Sequence, residues 1–435
     1  IMDKLISFSV PLMLSGILQL MFNAVDIIVV GRFSGSVALA AVGSTTALIN
    51  VFTNLFIGIS LGANVLAARF FAAGRDKEMS DTVHTAITLA LISGVIMAFV
   101  GLFFSRGALE LMGTPEDVIG QSALYMKIYF LGMPFFMLYN YGAAILRAVG
   151  DTKRPLIFLI VSGIVNAGLN MILVILFHLD VAGVAIATVI SQLISCILVL
   201  RCLYLSQTSY QLRFSKLKIN TTYLKQIFQV GVPAGIQSTV INFSNALLQS
   251  SVNSFGSIAM AGYTAANNIF GFLYVSVNSV TQACMSFTSQ NYGVKKYKRM
   301  DKVLIDCVII SMVTSLTLGC GAYFFGPEIL KIYTRDSQVI QCGMEILAYT
   351  TVPYFLCGIM DLLPGALRGM GHSGVPMILS VIGTVGTRIV WIFGIFPHHR
   401  SLSVLFISYP ASWILTIVMQ VICFYFVRKK VHKNI

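Results

Sequence analysis

The 435 residues are 57% hydrophobic and 10% charged, with a mean hydropathy of +0.85, and apolar runs of about 20 residues recur from end to end, as in a polytopic α-helical membrane protein. The net charge of +13 invites a nucleic-acid partner, but the basic residues follow membrane topology instead, which excludes that partner. No GxxxxGK[ST] loop is present to cradle phosphate, so the chain does not hydrolyse ATP by itself, and no enzyme signature appears.

The first half of the chain contains six expected spans, about 6–31, 42–67, 82–104, 121–145, 155–178 and 182–204. The first run is too long for a signal sequence and lacks a small-residue cleavage site, so it is expected to stay as a helix. It carries the chain's most telling residue, Asp26, inside an apolar helix where a buried charge is costly and usually functional. Gln19, Asn23 and Asp26 are spaced four and three apart and share one helix face, which in lipid has to meet protein or water. At a rise of about 1.5 Å per residue, Asp26 lies roughly 9 Å below the outer end of its helix. On the fifth helix Asn170 falls about 12 Å below the same surface, with Asn166 one turn deeper. These polar groups can therefore meet in the outer part of the amino-terminal half. A carboxylate there, beside amides rather than cations, is disfavoured in its charged form by desolvation and is suited to proton exchange.

A basic connector at 205–226 divides this six-helix lobe (1–204) from a second (227–435). Its amphipathic, cationic character suits the anionic lipid surface or open solvent. The second lobe contains expected spans at about 227–253, 262–288, 303–325, 341–366, 374–397 and 402–427. On its first helix Ser238, Asn242, Asn245 and Gln249 form an uncharged polar face, and Asn267, Asn278 and Gln282 on the next helix can join it to line a cavity. Asp361 sits on the fourth helix of this half and Arg388 on the fifth. They differ in depth by about 11 Å, so a direct ion pair needs tilt and a stretched arginine. His398-His399 lacks the further ligands of a zinc site and reads as solvated loop, and no metal site is expected. The eight cysteines form no CxxC pair and read as small packing residues.

With loops assigned alternately, one side collects 22 of the 29 lysines and arginines and the other five. By the positive-inside rule both termini are cytoplasmic. The halves also resemble each other. Leu146-Arg-Ala-Val-Gly150 leading to Pro155 corresponds to Leu367-Arg-Gly-Met-Gly371 leading to Pro376, and Pro11 pairs with Pro233, Pro134 with Pro353, Val37-Ala-Leu-Ala with Ile258-Ala-Met-Ala. Six spans per half make the repeats parallel, related by an axis along the membrane normal.

These residues resemble the multidrug and toxic compound extrusion (MATE) family, in particular its DinF-like bacterial branch, over essentially the whole chain. The resemblance rests on Phe22-Asn-Ala-Val-Asp26-Ile-Ile-Val-Val-Gly31-Arg32, LRxxGDTxxP at 146–155, Asn166-Ala-Gly-Leu-Asn170, Gly183-Val-Ala-Ile-Ala-Thr188, Ser289-Gln-Asn-Tyr-Gly293 and Leu367-Arg-Gly-Met-Gly371. It implies twelve helices in two lobes and export of amphipathic, often cationic organic compounds driven by inward H+ or Na+. In relatives of this branch the helix-one aspartate is the coupling residue, and Asp26 matches it; Gln19 and Asn166 match positions of the same cluster. One departure concerns Asn170, where the family commonly has aspartate, which weakens a two-carboxylate Na+ site and tilts the reading toward H+. The family's second proposed cation site, with carboxylates on helices seven and ten, is not reproduced.

The expectation is thus a monomeric antiporter of the bacterial cytoplasmic membrane, without cofactor, whose partners are small organic substrates and the lipid bilayer. A lipid or lipid-linked oligosaccharide flippase and a dedicated metabolite exporter are the rival functions. A flippase would be favoured by a cationic cavity, for which the spans offer chiefly Arg388 and Lys127.

Overall fold

A computed structural model describes residues 1–433, and among them every regular element is helical. Eight helices are long and apolar enough to cross a membrane: α1 (Met2–Phe33), α2 (Gly35–Ala72), α3 (Asp76–Leu111), α5 (Lys153–Leu176), α6 (Asp180–Leu205), α9 (Tyr297–Phe324), α11 (Gly374–His398) and α12 (Leu402–Lys433). Two further spans are bent pairs. Glu116–Leu131 and Met133–Ala148 (α4a and α4b) meet at 48°, and Ser337–Thr350 and Tyr354–Gly369 (α10a and α10b) at 45°. The paired prolines Pro134 and Pro353 lie at these two bends, where a missing N–H and a fixed φ break the helical ladder. The last two, α7 (Thr221–Asn253) and α8 (Ser257–Gly293), are long enough to span, with more polar sequences. Together they make the twelve segments of the two-repeat plan.

The repeated LRxxG motif is a helix stop. Gly150 has φ +94° and Gly371 φ +90°, the left-handed conformation that glycine adopts without a Cβ clash. In the first repeat the N–H of Gly150 bonds Arg147 O at 3.0 Å and that of Asp151 bonds Leu146 O at 2.9 Å. In the second, Gly371 bonds Arg368 O at 2.8 Å and His372 bonds Leu367 O at 2.9 Å. Both are the paired bonds of a Schellman cap.

The chain forms two compact units, Leu14–Gly235 and Ile1–Met13 with Ile236–Ile435. Each boundary falls inside a continuous helix, two residues past Pro11 in α1 and two past Pro233 in α7. Within the first unit, the start of α7 crosses α2 through two glycine pairs, Gly58-Ile-Ser-Leu-Gly62 and Gly231-Val-Pro-Ala-Gly235. A Cβ on Gly58 would lie 2.4 Å from Gly235 Cα, and one on Gly62 would lie 2.2 Å from Ile227 O. Small residues are what let two backbones approach this closely where lipid supplies no hydrophobic drive. Within the other unit the first turns of α1 complete a core. Leu5, Phe8 and Leu12 pack with Val280, Cys284, Val303 and Leu362, and the Phe8 and Phe287 rings meet edge to face at 5.4 Å.

The connector is laid along α3. Leu212 is fully buried, the N–H of Arg213 donates to Nε2 of buried His84 at 3.0 Å, and that of Asn220 donates to Thr85 Oγ1 at 3.1 Å. Nδ1 of His84 meets the Ser80 carbonyl at 2.6 Å, so the ring bridges α3 to a backbone segment that would otherwise keep its donors for water. Helix α7 begins at Thr221, earlier than hydropathy alone places it, because its first polar turns cover α2 rather than lipid.

Candidate functional site

In the first unit α1 and α5 bring Asp26, Asn166 and Asn170 together. Asp26 is 9% exposed, and Asn170 fully buried. Oδ1 of Asp26 accepts from Nδ2 of Asn166 at 3.3 Å and from Nδ2 of Asn170. Spending both amide N–H groups on the carboxylate leaves the two asparagine Oδ1 atoms buried without a hydrogen-bond partner. The cluster is therefore rich in acceptors and short of donors, the reverse of a satisfied polar core. Gln19 and Asn23 are exposed and add no hydrogen bond to it; a shared helix face did not translate into a shared network.

Packing holds the two helices in this register. The Phe22 ring lies on Gly163, where a Cβ would be only 1.9 Å from it. Immediately after Asn170 the fifth helix loosens into π-helical turns, Met171–Leu176, a distortion that often accompanies functional sites. Sequence reasoning missed the neighbours from α4a and α6. Tyr125 and Tyr129, whose rings are 6.0 Å apart, lie within electrostatic reach of Asp26, and Gln192 bonds Tyr129. Aromatic residues one turn apart in an apolar helix carry no signal that separates them from ordinary core.

In the other unit the polar group gathers on the equivalent helix pair, α7 and α11. Arg388 is 3% exposed. Its Nη1 donates to Asn245 Oδ1 at 2.8 Å, and its guanidinium carbon stands 4.2 Å from the centre of the Tyr409 ring. Asn242 and Gln249 are exposed, Asn278 and Gln282 half-buried, and none of them bonds Arg388. The conditional Asp361–Arg388 pair does not form among the described residues. Asp361 instead has Arg368, two turns along α10b, as its electrostatic partner, while Arg368 bonds Gln237. Two acids went unremarked in the sequence. Asp306 on α9 is buried with Oδ2 unpartnered, and Glu345 on α10a accepts from Ser403 Oγ at 2.5 Å. A single acid near a basic helix end was the available signal for Asp306.

No cluster of three His, Cys, Asp or Glu side chains fit to hold a metal ion occurs among the described residues. The side chains hydrogen-bonded to Asp26 are two asparagine amides, so no second carboxylate joins it in this network.

Comparisons with known proteins agree with this architecture. The MatE family model matches twice, over residues 11–172 and 233–393, so that both matches begin on the paired prolines. The chain is 30% identical to the probable multidrug resistance protein YoeA of Bacillus subtilis, covering 97% of this chain and 93% of that one. It is 23% identical to the multidrug export protein MepA of Staphylococcus aureus, over 88% and 84%. Among solved structures, an outward-facing multidrug resistance MATE family transporter superposes with TM-score 0.92 at 19% identity, covering 99% of this chain and 97% of that one. A mutant of the Vibrio cholerae MATE transporter VcmN gives 0.91 at 19% identity, with the same coverage. At such identity these two structures establish the fold.

Proposed function

The chain belongs to the MATE family, and from that premise we propose that it is a secondary antiporter of the bacterial cytoplasmic membrane, with both termini inside. It exports amphipathic, often cationic organic compounds in exchange for H+, by rocking two lobes as a monomer. Relatives named for multidrug resistance and export support the cargo class.

The observation that carries H+ coupling is the pair of orphaned amide oxygens beside Asp26. Ionised, the carboxylate is an acceptor that uses the asparagine N–H groups and leaves their oxygens unserved. Protonated, it becomes an O–H donor and can bond one of those oxygens, so taking up a proton repairs a buried defect as it removes a buried charge. Repacking of α1 against α5 is then tied to protonation state. A substrate is driven outward only if the two states bind it with different affinity. That α1 and α7 pass from one compact unit to the other just beyond Pro11 and Pro233 supports these prolines as the flexing points.

The test is made in proteoliposomes with an inward proton gradient or, separately, an inward sodium gradient, following efflux of a fluorescent organic cation. The parent protein is expected to respond to the proton gradient, and Asp26→Asn to lose at least about ten-fold of that flux. Equal transport by parent and variant would sink the assignment of Asp26. Sodium-driven flux indifferent to Asp26 would move the coupling site elsewhere.

A further inference from the structure

The connector between the two repeats takes no part in the proposed proton cycle, yet it lies in the longest acid-free stretch of the chain. No aspartate or glutamate occurs between Asp180 and Asp301, and here the connector carries Arg213, Lys216, Lys218 and Lys225. None of the ion pairs among the described residues includes Arg213, Lys216 or Lys218, and all three are exposed. On the adjoining first turns of α3, Asp76, Glu78 and Asp81 are nearly balanced by Arg75 and Lys77, and Glu78 is held by Arg75 at 2.9 Å. The strip keeps its positive charge.

Its depth decides what can meet that charge. The connector backbone bonds α3 at His84 and Thr85, less than one turn inside the point, about residue 82, where the apolar run of α3 begins. The strip therefore lies level with the membrane boundary instead of hanging in water. Leu212 is fully buried, whereas Phe214, two residues on, is 55% exposed. Its ring stacks on Tyr204 in the last turn of α6, with centres 5.7 Å apart, and Tyr204 and Leu205 are exposed as well. Aromatic rings at a helix end suit the headgroup region of a bilayer. An anionic lipid meets both demands at once, with phosphate for the cations and the glycerol and upper acyl region for the rings. Nucleic acid or an acidic protein would meet only the first.

We propose that the connector, through Arg213, Phe214, Lys216 and Lys218, is a docking surface for anionic phospholipid in the leaflet it faces. The antiporter reading above enters only in making that leaflet the cytoplasmic one.

Full-length protein carrying Phe214→Trp is reconstituted in two bilayers of identical headgroup composition, phosphatidylcholine with a minority of phosphatidylglycerol. In one, part of the phosphatidylglycerol is brominated near the carboxyl end of its acyl chains; in the other, an equal amount of phosphatidylcholine is. Bromine quenches a tryptophan it touches. The added fluorescence, after subtraction of that from the parent's Trp391 and Trp413, therefore reports which lipid stands beside the connector. Quenching by brominated phosphatidylglycerol should be at least about two-fold stronger, and should fall to parity when Arg213→Gln, Lys216→Gln and Lys218→Gln are added together. Sodium chloride at about 0.5 M should remove the preference without any change of sequence, by screening, so a folding defect in the triple variant cannot mask the answer. Arg106→Gln, near the far end of α3 with its side chain 61% exposed, should keep the preference. Equal quenching by the two lipids, quenching by neither, a preference that survives salt, or its loss in Arg106→Gln would each overturn the proposal. Both faces of these bilayers have one composition and no gradient is applied, so failure of the antiporter assignment or of the assigned orientation leaves this result standing.

Discussion

The first and fifth helices of each repeat hold a buried polar group, but the two groups carry opposite charge. On α1 and α5 a carboxylate takes N–H bonds from two amides; on α7 and α11 a guanidinium gives one to an amide and rests on an aromatic ring. Asp26 can change its charge by exchanging a proton, whereas arginine stays protonated under any ordinary condition. Duplicated scaffolds have thus been given one switchable and one fixed charge. The coupling site proposed above thus lies in the repeat whose buried charge a proton can remove, and the buried charge of the second repeat has no such switch.

The sharpest way to break that contrast, after Asp26→Asn, is to add a second carboxylate beside the first. Asn170→Asp should let sodium gradients drive export, because two carboxylates can balance a cation that one carboxylate and two amides hold poorly. Unchanged ion dependence in the proteoliposome assay would count against Asn170 as the residue that sets ion choice. A smaller effect is expected from Gly163→Val, which drives a branched side chain into the Phe22 ring. Overpacking of this kind costs about 1–3 kcal/mol. Proton-driven flux should fall several-fold while the purified protein stays monodisperse, and unchanged flux would deny that this contact holds α1 and α5 in register. The smallest effect concerns Arg428, which grips Asp301 through two bonds of 2.6 and 2.7 Å at the ends of α12 and α9. Because the Asp301 side chain is 42% exposed, Arg428→Ala should lower stability by only about 1 kcal/mol in thermal unfolding and leave transport unaltered.

Much of this organisation was legible before any coordinates. A lone aspartate in an apolar helix, asparagines at matching depth, and LRxxG recurring with its proline are strong signals because lipid penalises every polar choice. The limits were equally physical. Helical periodicity assigns a face, not a partner, so Gln19 and Asn23 shared Asp26's stripe without joining its network. The partners of Arg388 were hidden because π-helical turns on either side of it shift the count of 3.6 residues per turn. The glycine crossing of α2 and α7 escaped notice because its two halves are far apart in sequence, and each GxxxG alone is commonplace.

That crossing bears on biosynthesis. A ribosome that has released α1 to α6 has not yet supplied Gly231 and Gly235, so the earlier unit waits for the start of α7 before its groove on α2 is filled. The later unit, in turn, closes over the first turns of α1, made hundreds of residues before. Severing the chain within the connector would therefore yield two fragments each missing a strip of its own interior, able to mature only when expressed together.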